Sequence, residues 1–158
     1  MPKMIYEVLE REHRMVADLL QRAQRAGADE RVDLLAQISQ ELIAHSEAES
    51  ETFYAALRDH DETRDLVEDA ESEHQQIAVL LDQIDHAEGG DGAIQTRIQE
   101  LIEAVEQHVQ EEEGDIFARA RSVLDEDQAR DLAERFRAIK ASVTEEELAP
   151  EDVFESEE

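Results

Sequence analysis

The sequence contains no cysteine, which excludes disulfide bonds, thiolate metal ligands and a cysteine nucleophile. Glycine and proline are scarce, at 5 and 2 of 158 residues, so few positions interrupt regular secondary structure. Tryptophan is absent, and no apolar run approaches the length that spans a membrane. The N-terminal segment also lacks the apolar core of a secretory signal. We therefore expect a soluble cytoplasmic protein.

Positive charge is scarce as well. The chain has 15 Lys and Arg residues against 43 Asp and Glu residues, and its formal net charge is −28 at pH 7. A surface this negative repels the phosphates of DNA and RNA and the headgroups of anionic lipids. The composition therefore predicts no nucleic-acid partner and no membrane partner.

Only Lys3 and Lys140 are lysines, and such acidity with so little lysine is typical of proteins from halophiles. We expect the melting temperature to rise as salt is added, because the added ions screen the repulsion among the carboxylates. Thermal melts at increasing salt concentration check this. A melting temperature that does not rise excludes a halophilic adaptation.

The pattern of apolar residues predicts an all-α protein. Apolar residues recur at three- and four-residue spacing in four long segments, which is typical of amphipathic helices. These segments cover about residues 4–25, 31–59, 64–87 and 93–123. The links are short, including a glycine-rich loop at 88–92, so neighbouring helices are expected to be antiparallel. The predicted fold is an up-down-up-down four-helix bundle with an internal twofold pseudo-repeat.

A fifth helix is predicted after the bundle. Asp125, with Gln128 three residues later, has the pattern of a helix N-terminus. Leu132, Phe136 and Ile139 then form an apolar stripe that can cover one side or end of the bundle. We predict a four-helix bundle over residues 1–123, an additional C-terminal helix packing on it over 124–143, and an acidic tail over 144–158.

An internal repeat relates the two halves of the chain. The segment EREHRMVADLL, which begins at Glu10, aligns with ESEHQQIAVLL at an offset of 61 residues. The second helix of each half repeats at an offset of 63 residues and carries the pattern HxxxE. The repeat pairs His13 with His74, His45 with His108, and Glu49 with Glu112. The same polar residues therefore recur at positions that the apolar stripes place inside the bundle.

This set of residues predicts a metal centre. Residues four apart lie on one helix face, about 6 Å apart along the axis, so each HxxxE pair can serve one centre. Four helices around a common axis can enclose two ions, with two histidines on each ion and both glutamates bridging the ions. A solvent-derived oxo or hydroxo group would complete the bridge. An unmetallated core with these groups would carry a heavy desolvation cost. The predicted metal ligands are His13, His45, Glu49, His74, His108 and Glu112. Such nitrogen and oxygen ligands suit iron, manganese or zinc.

Several alternatives remain open at this point. The segments Glu10-x-x-His13 and Glu71-x-x-His74 also match the ligand pattern of ferritin-like di-metal bundles. That pattern leaves His45 and His108 unexplained, and ferritin-like bundles need a long crossover connection between helices, whereas the links here are short. Glu113 can replace its neighbour Glu112 as the ligand. The phenols of Tyr6 and Tyr54 either donate hydrogen bonds near the site or serve ordinary packing. His60 and His86 have no mates in the repeat and are expected at the surface.

In the order of these motifs the sequence resembles the hemerythrin-like HHE cation-binding family, over about residues 4–121. The resemblance implies a non-haem di-iron centre inside a four-helix bundle, with O2, nitric oxide or peroxide as the small-molecule ligand. Ala78 stands four residues after His74, where oxygen-carrying hemerythrins have a fifth histidine. The set of four histidines and two glutamates is more similar to the di-iron domain of iron-centre repair proteins.

The resemblance leaves the activity undecided. A protein that binds or senses O2 or nitric oxide, a di-iron enzyme acting on peroxide or nitric oxide, an iron donor or repair protein, and a structural or storage metal site all remain as hypotheses.

Overall fold

The computed structural model describes residues 2–87 and 90–156, and it describes side chains within residues 2–144. Every regular element in these ranges is helical, which confirms the all-α prediction. The elements are α1 (Ile5–Arg25), α2 (Ala28–Glu49), a π-helical turn (Ser50–Tyr54), α3 (Ala55–Arg58), α4 (Asp61–Asp85), α5 (Asp91–Glu111), a second π-helical turn (Glu112–Ile116), α6 (Phe117–Val123) and α7 (Glu126–Ser156).

Four long rods form the bundle, because α2 continues through the first π-helical turn into α3, and α5 continues through the second into α6. Helix α1 packs against α2 and α5, and α4 packs against α5. Helix α7 lies against α1 and α2, whereas α2 and α4 meet only sparsely. The predicted four-helix bundle with an additional C-terminal helix is confirmed. None of the described helices combines the length and the apolar character needed to cross a lipid bilayer.

The helix ends follow from local chemistry. The backbone N–H of Gln128 donates to Asp125 Oδ1 at 2.8 Å, and the backbone N–H of Asp125 donates to Gln128 Oε1 at 2.9 Å. These reciprocal bonds satisfy donors at the start of α7, as the sequence predicted. The glycine-rich loop lies partly outside the described residues, but Gly90 has a φ of +82°, which favours glycine, and α5 begins immediately after it.

Helix α7 is longer than predicted, since its backbone is helical as far as Ser156. The side chains of the acidic tail beyond residue 144 lie outside the described residues. The division of the chain at residues 123 and 143 therefore stays a prediction.

The apolar core consists of two clusters. One cluster contains Ile5, Leu9 and Phe53, and the other contains Leu20, Ile38 and Leu101. Every long rod crosses from one cluster to the other, and each crossing point carries a buried histidine: His13, His45, His74 and His108. The fold thus holds a polar layer between two apolar clusters.

Candidate metal centre

All six predicted ligands lie together in this polar layer. They form two groups, one of His13, His45 and Glu112 and the other of Glu49, His74 and His108. Within each group, the atoms that could bind a cation lie within 4.8 Å of one another. Both glutamates are fully buried. The repeat accounts for this convergence, because each half of the chain brings two histidines and one glutamate to the axis.

The two glutamates link the two groups. Glu49 Oε1 lies 3.2 Å from His45 Nε2 in one group and 3.3 Å from His74 Nε2 in the other. Glu112 presents Oε1 at 3.1 Å from His13 Nε2 and Oε2 at 3.7 Å from His108 Nε2. Each carboxylate therefore lies close to one histidine of each group.

Each histidine turns Nε2 inward, and three of the four hold Nδ1 against a carboxylate. His13 Nδ1 lies 2.7 Å from Glu113 Oε2, His108 Nδ1 lies 2.7 Å from Glu73 Oε1, and His45 Nδ1 lies 3.2 Å from Glu12 Oε1. A proton on Nδ1 that donates to a carboxylate leaves the Nε2 lone pair free for a metal and makes the ring a stronger ligand.

His74 is the exception. Its Nδ1 is buried without a hydrogen-bond partner, and the nearest carboxylate oxygen, Glu71 Oε1, is 3.8 Å away. The repeat explains the difference, because the position that carries Glu113 in the second half carries Ser50 in the first. Ser50 Oγ donates to Glu71 Oε1 at 2.7 Å, and Arg58 also donates to Glu71, so that carboxylate is held away from the ring.

Burial and mutual charge shift the protonation of the cluster. Burial opposes a proton on His45, but the charge of Glu49 and the hydrogen bond to Glu12 raise the pKa of His45 to about 10. Burial also opposes charge on Glu49, yet the charge of His45 and the close approach of the His45 and His74 ring nitrogens hold the pKa of Glu49 well below its usual range. Burial and the charge of Glu49 raise the pKa of Glu112. The positive charge of His45 therefore favours the ionised form of Glu49, whereas burial and the neighbouring Glu49 disfavour ionisation of Glu112.

The residues present fit a cation. Glu49 Oε1, Glu49 Oε2, Glu112 Oε1 and His13 Nε2 are buried without hydrogen-bond partners. Buried polar atoms are normally paired, and each unpaired one costs about 1–3 kcal/mol. Cations bound to these atoms would offset that free-energy cost. The mixed nitrogen and oxygen donors suit iron, manganese or zinc.

Tyr54 joins the cluster, whereas Tyr6 does not. The hydroxyl of Tyr54 donates to Glu112 Oε2 and lies 3.5 Å from His108 Nε2. Burial and the charges of Glu49 and Glu112 raise the pKa of Tyr54 well above its usual value, so the phenol keeps its proton. The hydroxyl of Tyr6 is buried without a hydrogen-bond partner, and its ring lies 4.3 Å from the guanidinium carbon of Arg121.

We expect Tyr54→Phe to weaken metal binding about tenfold, because Glu112 loses the donor that fixes its orientation. Tyr6→Phe is the matched control, since it removes a hydroxyl that makes no hydrogen bond. Competition titrations against a chromophoric chelator measure both affinities. Equal affinities in the two variants would show that the Tyr54 hydroxyl serves packing alone.

Helix α7 closes one side of the site. The ring of Phe136 packs edge-on against His45 with a centroid distance of 5.6 Å. Lys140 Nζ donates to Glu12 Oε2 at 2.6 Å and to Glu41 Oε2 at 2.8 Å, so it ties α7 to both α1 and α2. Glu12 in turn accepts from His45 Nδ1. Lys140, which lies outside the four-helix bundle, thus helps to orient the candidate ligand His45 through the carboxylate of Glu12.

We expect Lys140→Met to lower the free energy of unfolding by about 2 kcal/mol, because its charge-assisted bonds to two partly buried carboxylates are lost. Such a loss corresponds to a melting temperature lower by about 4–8 °C. Lys3→Met, which removes the same charge outside this network, is the control. Thermal melts of both variants at one salt concentration provide the comparison. A control that melts as low as Lys140→Met would refute a specific role for the network.

The remaining candidates lie elsewhere. Glu10 and Glu71 belong to neither group, so the ferritin-like pattern does not describe this cluster. His86 is exposed as predicted, and His60 is partly buried just before α4. Two functional residues lie outside the predicted set: Glu12, the partner of His45, and Glu73, the partner of His108. The sequence does contain a pattern that indicates them. Each immediately precedes a repeated histidine, and the two occupy equivalent positions in the repeat at the offset of 61 residues.

A small cavity of about 20 Å³ lies against the cluster. All four cluster histidines line it, together with Ser46 and apolar side chains that include Val16, Leu42 and Val105. A volume of this size holds about one water molecule. The space beside the candidate ligands therefore suits a molecule of very few atoms.

Known proteins match the chain in sequence and in fold. The sequence profile of the hemerythrin HHE cation binding domain matches residues 4–120. The chain is 28% identical over 143 residues to a DNA nickase from Nostoc sp. (strain PCC 7120), and the match covers 88% of this chain but only 40% of that protein. A crystal structure of a hemerythrin HHE cation binding domain-containing protein from Mycobacterium kansasii superposes with a TM-score of 0.83 at 23% identity, covering 93% of this chain and 91% of that chain. Because the profile spans most of the sequence, the chain belongs to the hemerythrin HHE cation binding domain family.

Proposed function

We propose that this protein is a non-haem di-iron protein that binds or senses O2 or nitric oxide at a carboxylate-bridged site. The six predicted ligands hold the metal in this proposal, with Glu49 and Glu112 as the bridges. The observation that carries it is the convergence of four inward Nε2 atoms and two fully buried carboxylates, three of whose four oxygens lack hydrogen-bond partners. Manganese and zinc are the alternative metals, because they accept the same donors.

A pair of iron ions bound here would supply reversible redox chemistry and a position for a small ligand. The protein's own groups shape that position. The cavity of about 20 Å³ has the size for a molecule of very few atoms. Its walls are largely apolar, and the Tyr54 hydroxyl, which donates to Glu112, has its oxygen 3.5 Å from His108 Nε2.

The test begins with metal analysis and an optical spectrum of the purified protein. Iron at a pair of ions per chain supports the site, and stopped-flow spectroscopy of the reduced protein with O2 or nitric oxide then tests the function. A stable and reversible band after mixing is the expected result. Zinc as the sole bound metal, or no spectral response to either gas, would refute the proposal.

One observation favours a di-iron enzyme acting on peroxide or nitric oxide as the second candidate. The Tyr54 hydroxyl donates a hydrogen bond into the cluster, where it is placed to supply a proton. Multiple turnovers of peroxide, lost in Tyr54→Phe although the metal is retained, would support the enzyme over the binding protein. An iron donor or repair protein and a structural or storage site are weaker candidates, and metal transfer assays and elemental analysis separate them.

The similarity to a DNA nickase does not lead us to propose DNA as a partner. The chain spans less than half of that protein, so the activity cannot be assigned to the shared part. The net charge of −28 opposes contact with phosphates. We keep the prediction that nucleic acid is not a partner, and a DNA binding assay at low salt tests it.

A further inference from the structure

A cleft of about 690 Å³ lies between α2 and α4 beside the cluster. Glu47, Glu51 and Glu71 contribute carboxylates to its walls, against the guanidinium of Arg58. The sparse packing of α2 against α4 leaves this space open. The cleft is large enough for a hydrated divalent cation, and its charge attracts one.

The cleft reaches the cluster at one place. Ser46 and His74 line both the outer cleft and the inner cavity of about 20 Å³, so they form the wall between the two spaces. Of the six predicted ligands, only His74 lines the cleft. A hydrated cation does not fit into the inner cavity, so it must lose water at this wall.

His74 is also the histidine that is least restrained at its outer nitrogen, Nδ1, although its Nε2 lies 3.0 Å from His108 Nε2. It is 9% exposed, and its Nδ1 makes no hydrogen bond. The other three rings are each held at Nδ1 by a carboxylate, at 2.7–3.2 Å. Rotation of the His74 ring breaks no hydrogen bond at Nδ1, because the nearest carboxylate, that of Glu71, accepts hydrogen bonds from Ser50 and Arg58 instead.

Two other sides of the cluster offer no such opening to a predicted ligand. Helix α7 covers the side of α1 and α2, where Phe136 lies on the His45 ring. A second acidic groove of about 440 Å³ contains Asp69, Glu73 and Asp115, but none of the six predicted ligands lines it. That groove ends at Glu73, whose carboxylate accepts a hydrogen bond from His108 Nδ1.

We infer that the cleft between α2 and α4 is the route by which the divalent cation enters, with His74 as the ligand that closes behind it. This inference rests on the proposed function, since it requires the metal site. The carboxylates of Glu47 and Glu51 concentrate the cation at the mouth of the cleft. At the shared wall, where the small side chain of Ser46 leaves the passage open, His74 would then replace a water molecule of the cation.

Metal uptake kinetics test the route. Metal-free protein is mixed anaerobically with Fe²⁺ in a stopped-flow instrument, and the rate and the final stoichiometry are recorded. The double variant Glu47→Gln/Glu51→Gln is expected to load about three- to tenfold more slowly at low salt, with an unchanged endpoint. The rate should also depend less steeply on ionic strength, because two charges at the mouth are gone.

The second groove provides the matched control. Asp69→Asn/Asp115→Asn removes the same charge from a groove that none of the predicted ligands lines, and we expect its loading rate to equal that of the unmodified protein. Ser46→Leu should slow uptake by narrowing the shared wall, whereas Ser46→Ala should not. These comparisons separate a local effect from a general loss of negative charge.

The outcomes distinguish the two proposals. Full loading at unchanged rates in both Glu47→Gln/Glu51→Gln and Ser46→Leu would overturn the route alone. Equal slowing in the Asp69→Asn/Asp115→Asn control would overturn it as well. An unmodified protein that takes up no Fe²⁺ would overturn the proposed function together with the route.

Discussion

Removal of the bound metal is expected to lower the melting temperature by about 8–16 °C. A ligand present at about 1,000 times its Kd stabilises the folded state by about 4 kcal/mol, and about 1 kcal/mol shifts the melting temperature of a chain of this size by about 2–4 °C. The stabilisation arises because Glu49 Oε1, Glu49 Oε2 and Glu112 Oε1, which are buried without hydrogen-bond partners, would gain a cation. Thermal melts before and after treatment with a chelator measure the effect.

A variant without the bridging carboxylates provides the control. Glu49→Gln/Glu112→Gln should melt at the same temperature with and without the chelator, because it holds no metal to lose. Restoring Fe²⁺ should recover the original melting temperature only in the unmodified protein. A stripped protein that melts at the original temperature would count against a metal buried in this layer.

Replacing Glu112 by glutamine is expected to abolish binding of the metal pair, whereas the same change at Glu113 should weaken it about 10- to 100-fold. Glu112 faces inward and contacts His13 Nε2 and His108 Nε2, so its charge serves both cation positions. Glu113 contacts the outer nitrogen of His13 and orients the ring. Metal content after dialysis and competition titrations with a chelator distinguish complete loss from weakened binding.

This pair of variants also resolves an ambiguity of the sequence. The HxxxE spacing and the repeat favour Glu112 within the run Glu111–Glu113, but they leave Glu113 as an alternative ligand, because a shift of one residue turns the side chain by only about 100°. Metal loss in Glu113→Gln with retention in Glu112→Gln would reverse the roles that we propose. Equal and complete loss in both would show that Glu113 is itself a ligand.

Much of the fold could be predicted because it follows from short-range patterns. The periodicity of apolar residues located the helices to within a few residues, and the pair Asp125 and Gln128 located the start of α7. The repeat selected His13, His45, His74 and His108 from six histidines, and all four lie in one buried layer. Their role as metal ligands stays a prediction.

The contacts around the histidines could not be predicted in the same way. His45 Nδ1 lies against the carboxylate of Glu12, which is 33 residues away in the sequence, and His13 Nδ1 lies against that of Glu113, which is 100 residues away. Lys140 reaches Glu12 across 128 residues. These pairs depend on how far each helix is rotated and shifted against its neighbours, which periodicity within one helix does not specify.

The sequence by itself determined the number of helices, their inward faces and the doubled set of histidines and glutamates, because these depend on spacing along single helices. The tertiary structure decided that the two halves differ. Ser50 stands where its repeat mate Glu113 would hold His74, and α2 and α4 separate beside that ring. Helix α7 covers the side formed by α1 and α2 with Phe136 and Lys140. This asymmetry arises from packing between helices, so a repeat in the sequence cannot reveal it.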